Sequence, residues 1–515
     1  MSGPGAPLDR RSGRGHRYLH AVTQPTSVLS RELLPASIAI YTTVALVAFE
    51  GLAVVAALPQ VAADLGSVAL LPWVITSFLL MSGIATVTAG PLVDAVGVQT
   101  MFRVAVVVFT VGGVAAGFVP TMPLLVVARV LQGIGGGLVI ATGLAGVSLV
   151  FPDHLVGRAF AANSTVWGVM GVAGPAIAAV MLTALSWRWI FLVNLPLGLL
   201  ALFAGWKALP GPPSATGRRR PDAAGVTLVL GFNLALLLAV DRLGSASILW
   251  FLAAIGLAAV YRWHAKRSEQ PVMRLRHLLF RPLGPLAMSL ALVLTGAFAT
   301  NAYVPLYVQG ARGGGPGLTA WSVLFFTIGW TAGANLSPRL LDRMADTSVM
   351  GAGFAFTIPS LMVAAALGVA DAPLPAVFAV LFTAGIGIGI STNAGLTLLR
   401  SFSPSDEIGR ATSAHQFYRN LGFTLGAAIG GSVILAVVGR AVGDVEAVRS
   451  LLSGDTSGAS GASSVAAAAI ADGFAVAAAV GSVIALAALV PFFVLRRHLA
   501  AARTARDAAG RRPPR

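Results

Sequence analysis

The 515-residue sequence contains no cysteine. Disulfides, thiolate metal sites, iron–sulfur clusters and cysteine nucleophiles are thereby excluded. Charge is scarce as well: 10% of the residues are Asp, Glu, Lys or Arg, where soluble chains carry about a quarter. Lysine is nearly missing, with Lys207 and Lys266 beside 33 arginines. The seven histidines show no metal-ligand spacing. No Gly-x-x-x-x-Gly-Lys-Ser/Thr phosphate loop is present, which excludes a nucleotide motor of that class. What remains is apolar: 56% hydrophobic residues, 59 glycines and a mean hydropathy of +0.83. Such a chain belongs in a bilayer, where small residues let helices approach closely.

A spanning helix needs roughly 20 mostly apolar residues. Broken at proline, glycine and charge, fourteen such runs cover 36–58, 70–92, 101–120, 122–149, 158–184, 188–209, 223–242, 247–264, 285–309, 318–342, 349–370, 374–400, 408–438 and 470–496. The runs at 223–242 and 247–264 are short, and without them twelve spans remain. A membrane barrel is excluded, because its strands are about ten residues of alternating polarity. Segment 1–35 holds Arg10, Arg11, Arg14, Arg17 and Arg31 with no apolar core. It therefore reads as a disordered arm and not as a cleaved signal peptide. The Arg-rich tail 497–515 and the Gly-, Ser- and Ala-rich stretch 439–469 also read as disordered.

An even number of spans puts both termini on one side. Placing them in the cytoplasm assigns 28 Lys or Arg to cytoplasmic segments or their flanks and five (Arg188, Arg242, Arg312, Arg440, Arg449) to the outside. That is the bias of the positive-inside rule. The formal charge of +16 then reflects topology and attraction to anionic lipid, not nucleic acid. Basic linkers at 207–222 and 262–281 set off a helix pair between two blocks of six. The expected architecture is an all-α integral membrane protein: a six-helix bundle over 36–209, linkers and an inserted helix pair over 210–284, and a second six-helix bundle over 285–496. Duplicated six-helix blocks are typical of secondary transporters.

Motifs recur at helix ends. Span one holds Glu50 nine residues before Pro59. Span two runs into Gly90-Pro-Leu-Val-Asp94-Ala-Val-Gly97, and Pro338-Arg-Leu-Leu-Asp342-Arg343 echoes it in the second half. Span four contains Arg129-Val-Leu-Gln132-Gly133-Ile-Gly135, and span five Gly171-Val-Ala-Gly174-Pro175. Trp187-Arg-Trp-Ile-Phe-Leu-Val-Asn194-Leu-Pro196 opens span six, Pro305-Leu-Tyr307-Val-Gln309 closes span nine, and Arg419-Asn-Leu-Gly422 lies in span thirteen. Together they resemble the major facilitator superfamily, and within it the 14-helix branch of drug:proton antiporters. The resemblance covers roughly 36–496. The chain departs from the branch at Glu50, where Asp is usual, at Leu52 and Val55, and at Val98, Gln99 and Thr100, where basic residues are expected.

Glu50 sits in an otherwise apolar helix, where a lone carboxylate must pair, protonate or face a wet cavity. It lies about 21 Å along span one, and Arg129 about 10 Å from the opposite end of span four, by the helical rise. The two are predicted to meet at similar depth. A conformational change or a substrate that parts them in a low-dielectric setting lets the carboxylate take up a proton; the plain alternative is a static buried pair. Gln132, one turn on, either holds the guanidinium or lines a cavity. Arg419, near mid-bilayer, needs a polar cavity or partner, and with Glu50 and Arg129 completes the expected proton-coupling set. His415, one turn before it, either joins a proton route or is a satisfied helix-end histidine. The resemblance implies a gate or latch at Gly90, Asp94, Gly97, Asp342, Arg343, Gly174 and Pro175. Asp94 is expected to reach Arg103 or Arg158; the plain alternative for it is a helix-end Asp, and for Gly174-Pro175 ordinary packing. Trp73, Tyr303, Tyr307, Gln309, Trp330 and Asn393 are expected, with Gln132, to line a substrate cavity, although Trp and Tyr also collect at membrane interfaces, as is expected of Trp187 and Trp189.

These readings lead to a monomeric exporter of the bacterial inner membrane that trades protons for hydrophobic or cationic small molecules by alternating access. It needs no enzyme activity, metal or cofactor, and its partners are substrate, protons and lipid. A dedicated lipid or metabolite exporter of the same fold is the alternative; a non-transporting membrane sensor is a third.

Overall fold

A computed structural model describes residues 27–209, 222–241, 245–279, 282–403, 408–442 and 460–510. All regular elements among them are helical. In chain order they are α1 (Leu34–Leu65), α2 (Leu71–Val96), α3 (Val98–Phe118), α4 (Met122–Val150), α5 (Asp153–Ala184), α6 (Arg188–Leu192), α7 (Asn194–Gly205), α8 (Ala223–Asp241), α9 (Ser245–Arg267), α10 (Leu275–Leu278), α11 (Leu283–Asn301), α12 (Val304–Leu306), α13 (Pro316–Leu341), α14 (Asp346–Val369), α15 (Leu374–Phe402), α16 (Ile408–Val442), α17 (Ser460–Ala487) and α18 (Leu489–Gly510).

Thirteen segments among the described residues are long and apolar enough to cross a membrane. The expected run at 318–342 forms α13, 26 residues long. It falls outside those thirteen because Thr, Ser, Gly and Asn dilute its apolar residues. Proline at the first turn of α1, α2, α4, α13 and α15 marks their starts, where a missing N–H costs no hydrogen bond. Gly97 ends α2 and begins α3 at φ 84°, a conformation that glycine adopts without strain.

The structure departs from the expected elements in four places. The run 188–209 breaks at Val193 into α6 and α7, and the run 285–309 breaks into α11, α12 and a π-helical turn at Tyr307–Ala311. The tail expected to be disordered from 497 is helical to Gly510, in keeping with its alanines and arginines, the strongest helix formers. Parts of 439–469 are helical as well, in the ends of α16 and α17; residues 443–459 lie outside the described set, as does arm 1–26.

Helices α2, α3 and α4 pack on one another, as do α13, α14 and α15 in the second half, with α11 set against α16 and α17. Two seams join the halves: α2 against α16, and α5 with α1 against α13. The inserted pair α8 and α9 packs on itself and covers the α2–α16 seam through α8. Ile248, Leu249, Phe251, Leu252 and Ile255 of α9 point outward. An exposed apolar face of that size suits hydrocarbon, not water.

At the end that holds the α1–α2 turn, one apolar core unites both halves. Ala53, Leu58, Leu71 and Val74 meet Tyr303, Leu306, Val323, Ala427 and Ile434 there. At the opposite end the large cores are separate: Ile40, Phe102 and Leu155 belong to one, and Leu290, Met350 and Leu398 to the other. A smaller cluster joins the halves there, with Val87 of α2 against Ala414 and Phe417 of α16. The broad core shared by both halves therefore lies at one end.

Candidate functional site

Glu50 lies midway along α1 and is fully buried, 0% exposed. Arg129 of α4 is 2% exposed and donates from Nη1 to Glu50 Oε1 at 2.5 Å. The same nitrogen donates to Gln132 Oε1 at 2.6 Å, and Nε donates to the Val74 carbonyl on α2 at 3.0 Å. The guanidinium also stands over the Phe78 ring at 4.3 Å. Asn194, the first residue of α7, donates from Nδ2 to the other carboxylate oxygen, Glu50 Oε2, at 3.0 Å. Four helices thus converge on one ion pair, at the depth the rise arithmetic predicts.

Small residues make the convergence possible. A Cβ on Gly112 of α3 would strike the Gln132 backbone, and one on Gly113 would strike the Asn194 amide. Two buried atoms beside the pair, Gln132 Nε2 and Asn194 Oδ1, have no hydrogen-bond partner. A buried ion pair is held by geometry and by its remaining hydrogen bonds, and opening it exposes a charge to a medium that solvates it poorly. Gln132, which the sequence leaves between two roles, holds the guanidinium. Asn194 is absent from the predicted set, having registered only as part of the span-six motif; an amide in an apolar run was the available signal.

A second polar group lies on α16. Arg419 is half-buried; its Nη1 donates to Gln416 Oε1 at 3.4 Å and its guanidinium lies 5.5 Å from the Phe423 ring. Phe423 in turn packs on Phe298 of α11 at 4.4 Å and on Trp330 of α13 at 6.0 Å. His415, one turn before Arg419, is buried with Nδ1 unpartnered. Glu50 and Arg129 form one pair, and Arg419 stands in a separate cluster.

The expected cavity residues do not form a single group. Tyr303 is buried in the core shared by both halves and donates to the Ala427 carbonyl at 2.7 Å. Tyr307 stacks on Phe474 at 4.4 Å, and its hydroxyl accepts from Arg312 at 3.2 Å. Gln309 lies half-buried in the π-helical turn, and Trp73 half-buried on α2. Asn393 donates to the Ala334 carbonyl at 2.7 Å and ties α15 to α13.

Among the latch residues, Gly90 and Asp94 lie within α2, but their surroundings fall outside the described residues. Arg103, an expected partner of Asp94, donates to the Trp206 carbonyl and covers the Trp206 ring at 4.3 Å. Asp342 caps α13 and is exposed beside Arg343, with no ion pair from either among the described residues. Gly174 and Pro175 sit inside α5, where Gly174 faces Phe49 and Leu52 of α1. Trp187 is not a surface anchor: it is 3% exposed, and its indole donates to Asp64 at 3.0 Å.

The chain matches the Major Facilitator Superfamily over residues 38–427. It is 28% identical over 403 residues to an uncharacterized MFS-type transporter of Mycobacterium tuberculosis, covering 76% of this chain but only 58% of that one. It is 27% identical over 423 residues to the multidrug transporter protein MdtP of Bacillus subtilis, covering 77% of this chain and 74% of the relative. The tetracenomycin C resistance and export protein of Streptomyces glaucescens is 28% identical over 425 residues, 81% of this chain and 78% of that one. The fold is similar to that of a bacterial homolog to the human lysosomal transporter Spinster, solved inward-facing and unoccupied, with a TM-score of 0.64 at 15% identity over 90% of this chain and 96% of that one. The match over most of its length, with all-helical architecture and thirteen candidate spans among the described residues, shows that this multi-pass membrane chain belongs to the major facilitator superfamily, a family of transporters and not of enzymes.

Proposed function

We propose that the chain is a proton-coupled exporter of hydrophobic small molecules that works by alternating access in the bacterial inner membrane, as a monomer with both termini in the cytoplasm. The observation that carries this reading is the Glu50–Arg129 pair, a carboxylate and a guanidinium with almost no solvent contact in the heart of the first half. In the sealed arrangement the carboxylate is held against its partner. A movement that parts the pair leaves the carboxylate in apolar surroundings, where taking up a proton is the cheapest way to remove the charge. With the termini in the cytoplasm the end with the shared core faces outward, so the halves part toward the cytoplasm and a compound enters from that side. Rocking the halves about the α2–α16 and α5–α13 seams would deliver it outside. One proton returning across 100 mV supplies about 2.3 kcal/mol, equivalent to roughly a 50-fold gradient. The relatives named for multidrug transport and for tetracenomycin C export favour export over uptake.

The test uses everted vesicles under a respiration-driven proton gradient. Adding a transported dye or antibiotic is expected to dissipate the gradient with the wild type and not with Glu50→Gln. Equal dissipation by both would remove Glu50 from the coupling step.

One observation favours a lipid or lipid-like cargo as the second reading. A cavity of about 480 Å³ lies between the inserted pair and the second half, lined by Leu236, Val240, Phe251, Leu252, Ile429 and Val433 among others. It is almost wholly apolar, and two of its lining residues, Phe251 and Leu252, belong to the outward-pointing face of α9. Failure of every dye together with flux of a labelled phospholipid would shift the assignment to this reading.

A further inference from the structure

Among the described residues, three charged side chains well inside the spans are buried or half-buried, Glu50, Arg129 and Arg419, whereas Asp472 of α17 is exposed. Two of them cancel. The third has only neutral partners, the Gln416 amide at 3.4 Å and the Phe423 ring, and among the described residues no carboxylate pairs with it. The acids nearest in sequence are Asp406 and Glu407. They precede Arg419 by twelve residues or more and lie outside the described residues. Arg419 Nε is buried and unpartnered. An uncompensated guanidinium at this depth is costly, and such groups face a cavity or a counter-ion.

Its surroundings are aromatic. Phe423, one turn beyond Arg419, packs on Phe298 and Trp330, and Trp330 sets its edge against Phe326 at 6.0 Å. Helices α11, α13 and α16 thus place flat apolar faces beside a single half-buried cation. We propose that this face of the second half is the substrate subsite, and that it takes compounds carrying a negative charge next to a planar aromatic system, with Arg419 as the counter-ion. The proposal rests on the transport reading and narrows its substrate class, away from the cationic compounds the sequence suggested.

The charge inventory holds through a proton cycle. With Glu50 ionised, the deep residues leave one net positive charge; with Glu50 protonated they leave two. His415 can only add to that sign. No protonation state makes the interior negative, so a cation finds no carboxylate free to receive it. An anion gains a charge-assisted hydrogen bond in a low-dielectric site and stacking on the adjacent rings.

The experiment is equilibrium binding to the purified chain in nanodiscs of zwitterionic lipid, read by fluorescence anisotropy at pH 7.5, with empty nanodiscs subtracted. Fluorescein and rhodamine 123 serve as probes, two xanthenes of similar size and opposite charge. Wild type is expected to bind fluorescein at least tenfold more tightly than rhodamine 123. Arg419→Gln should weaken fluorescein binding at least tenfold and leave rhodamine 123 unchanged or tighter, while Arg419→Lys should keep most of the preference. A wild type that prefers rhodamine 123, or that binds neither probe, overturns the proposal. So does an Arg419→Gln variant that weakens both probes by one factor. Binding needs no gradient, so a failure here and a failure of proton coupling are separately visible.

Discussion

Glu50 is secured by partners on two other elements, α4 and α7, and the consequences of removing them differ. Arg129→Met strands a carboxylate without solvent, and losing one member of a buried pair costs about 3–5 kcal/mol. Replacing both members with apolar residues, Glu50→Leu with Arg129→Met, removes the charge along with its cost. The double variant is expected to melt well above the single variant when thermal unfolding is followed in detergent. Equal melting temperatures would mean that the pair is not closed in the resting state. The pair itself was readable in the sequence, since two opposite charges at equal depth in neighbouring apolar helices have few other solutions. Asn194 was not, because its contact depends on α7 restarting at Val193 and turning the amide inward, which no local pattern encodes.

At the scale of the element, α4 shows how glycine sets helix spacing. A Cβ on Gly135 would run into the Phe109 backbone of α3, and one on Gly137 into the Ser82 backbone of α2, whereas Gly143 on the same helix has nothing within 4 Å. Gly137→Val is expected to abolish monodisperse protein on size exclusion, because backbone atoms cannot yield as a flexible side chain can. Gly143→Ala should behave as wild type and melt slightly higher, since alanine exceeds glycine in helix propensity by about 1 kcal/mol. A monodisperse Gly137→Val would show that α2 and α4 are less closely packed than described. Both glycines look alike in the sequence. Which face of a helix meets a neighbour, when every face is apolar, is decided by packing alone.

For the molecule as a whole, the asymmetry between the two ends makes a direct test possible, because the chain has no cysteine to interfere. Val323 is 1% exposed within the core that joins the halves. Gln416 is half-buried beside Arg419, away from that core. A water-soluble maleimide added to everted vesicles should label Gln416→Cys and spare Val323→Cys. Labelling of Val323→Cys alone would place the opening at the other end. The inserted pair adds a covering on the α2–α16 seam, so that this side of the molecule is thicker than the α5–α13 side. The spans at 223–242 and 247–264 were short in the sequence but form α8 and α9, held by packing on α2 and α16 that hydropathy does not measure.

The sequence by itself determined that the chain lives in a bilayer, that it is helical, roughly where each span lies and which three charges are buried, because transfer to hydrocarbon is a property of each residue in turn. It also placed the motifs that resemble the superfamily. Tertiary structure alone decided what those charges meet. Arg129 is shared among Glu50, Gln132 and the Val74 carbonyl, Arg103 is drawn to Trp206, Tyr303 is packed into the core shared by both halves and Tyr307 against Phe474, and Arg419 is left with an amide and a ring. In helices apolar on every side, hydrophobic periodicity carries little information on facing. Close approach at glycines and the few available polar partners fix the arrangement instead.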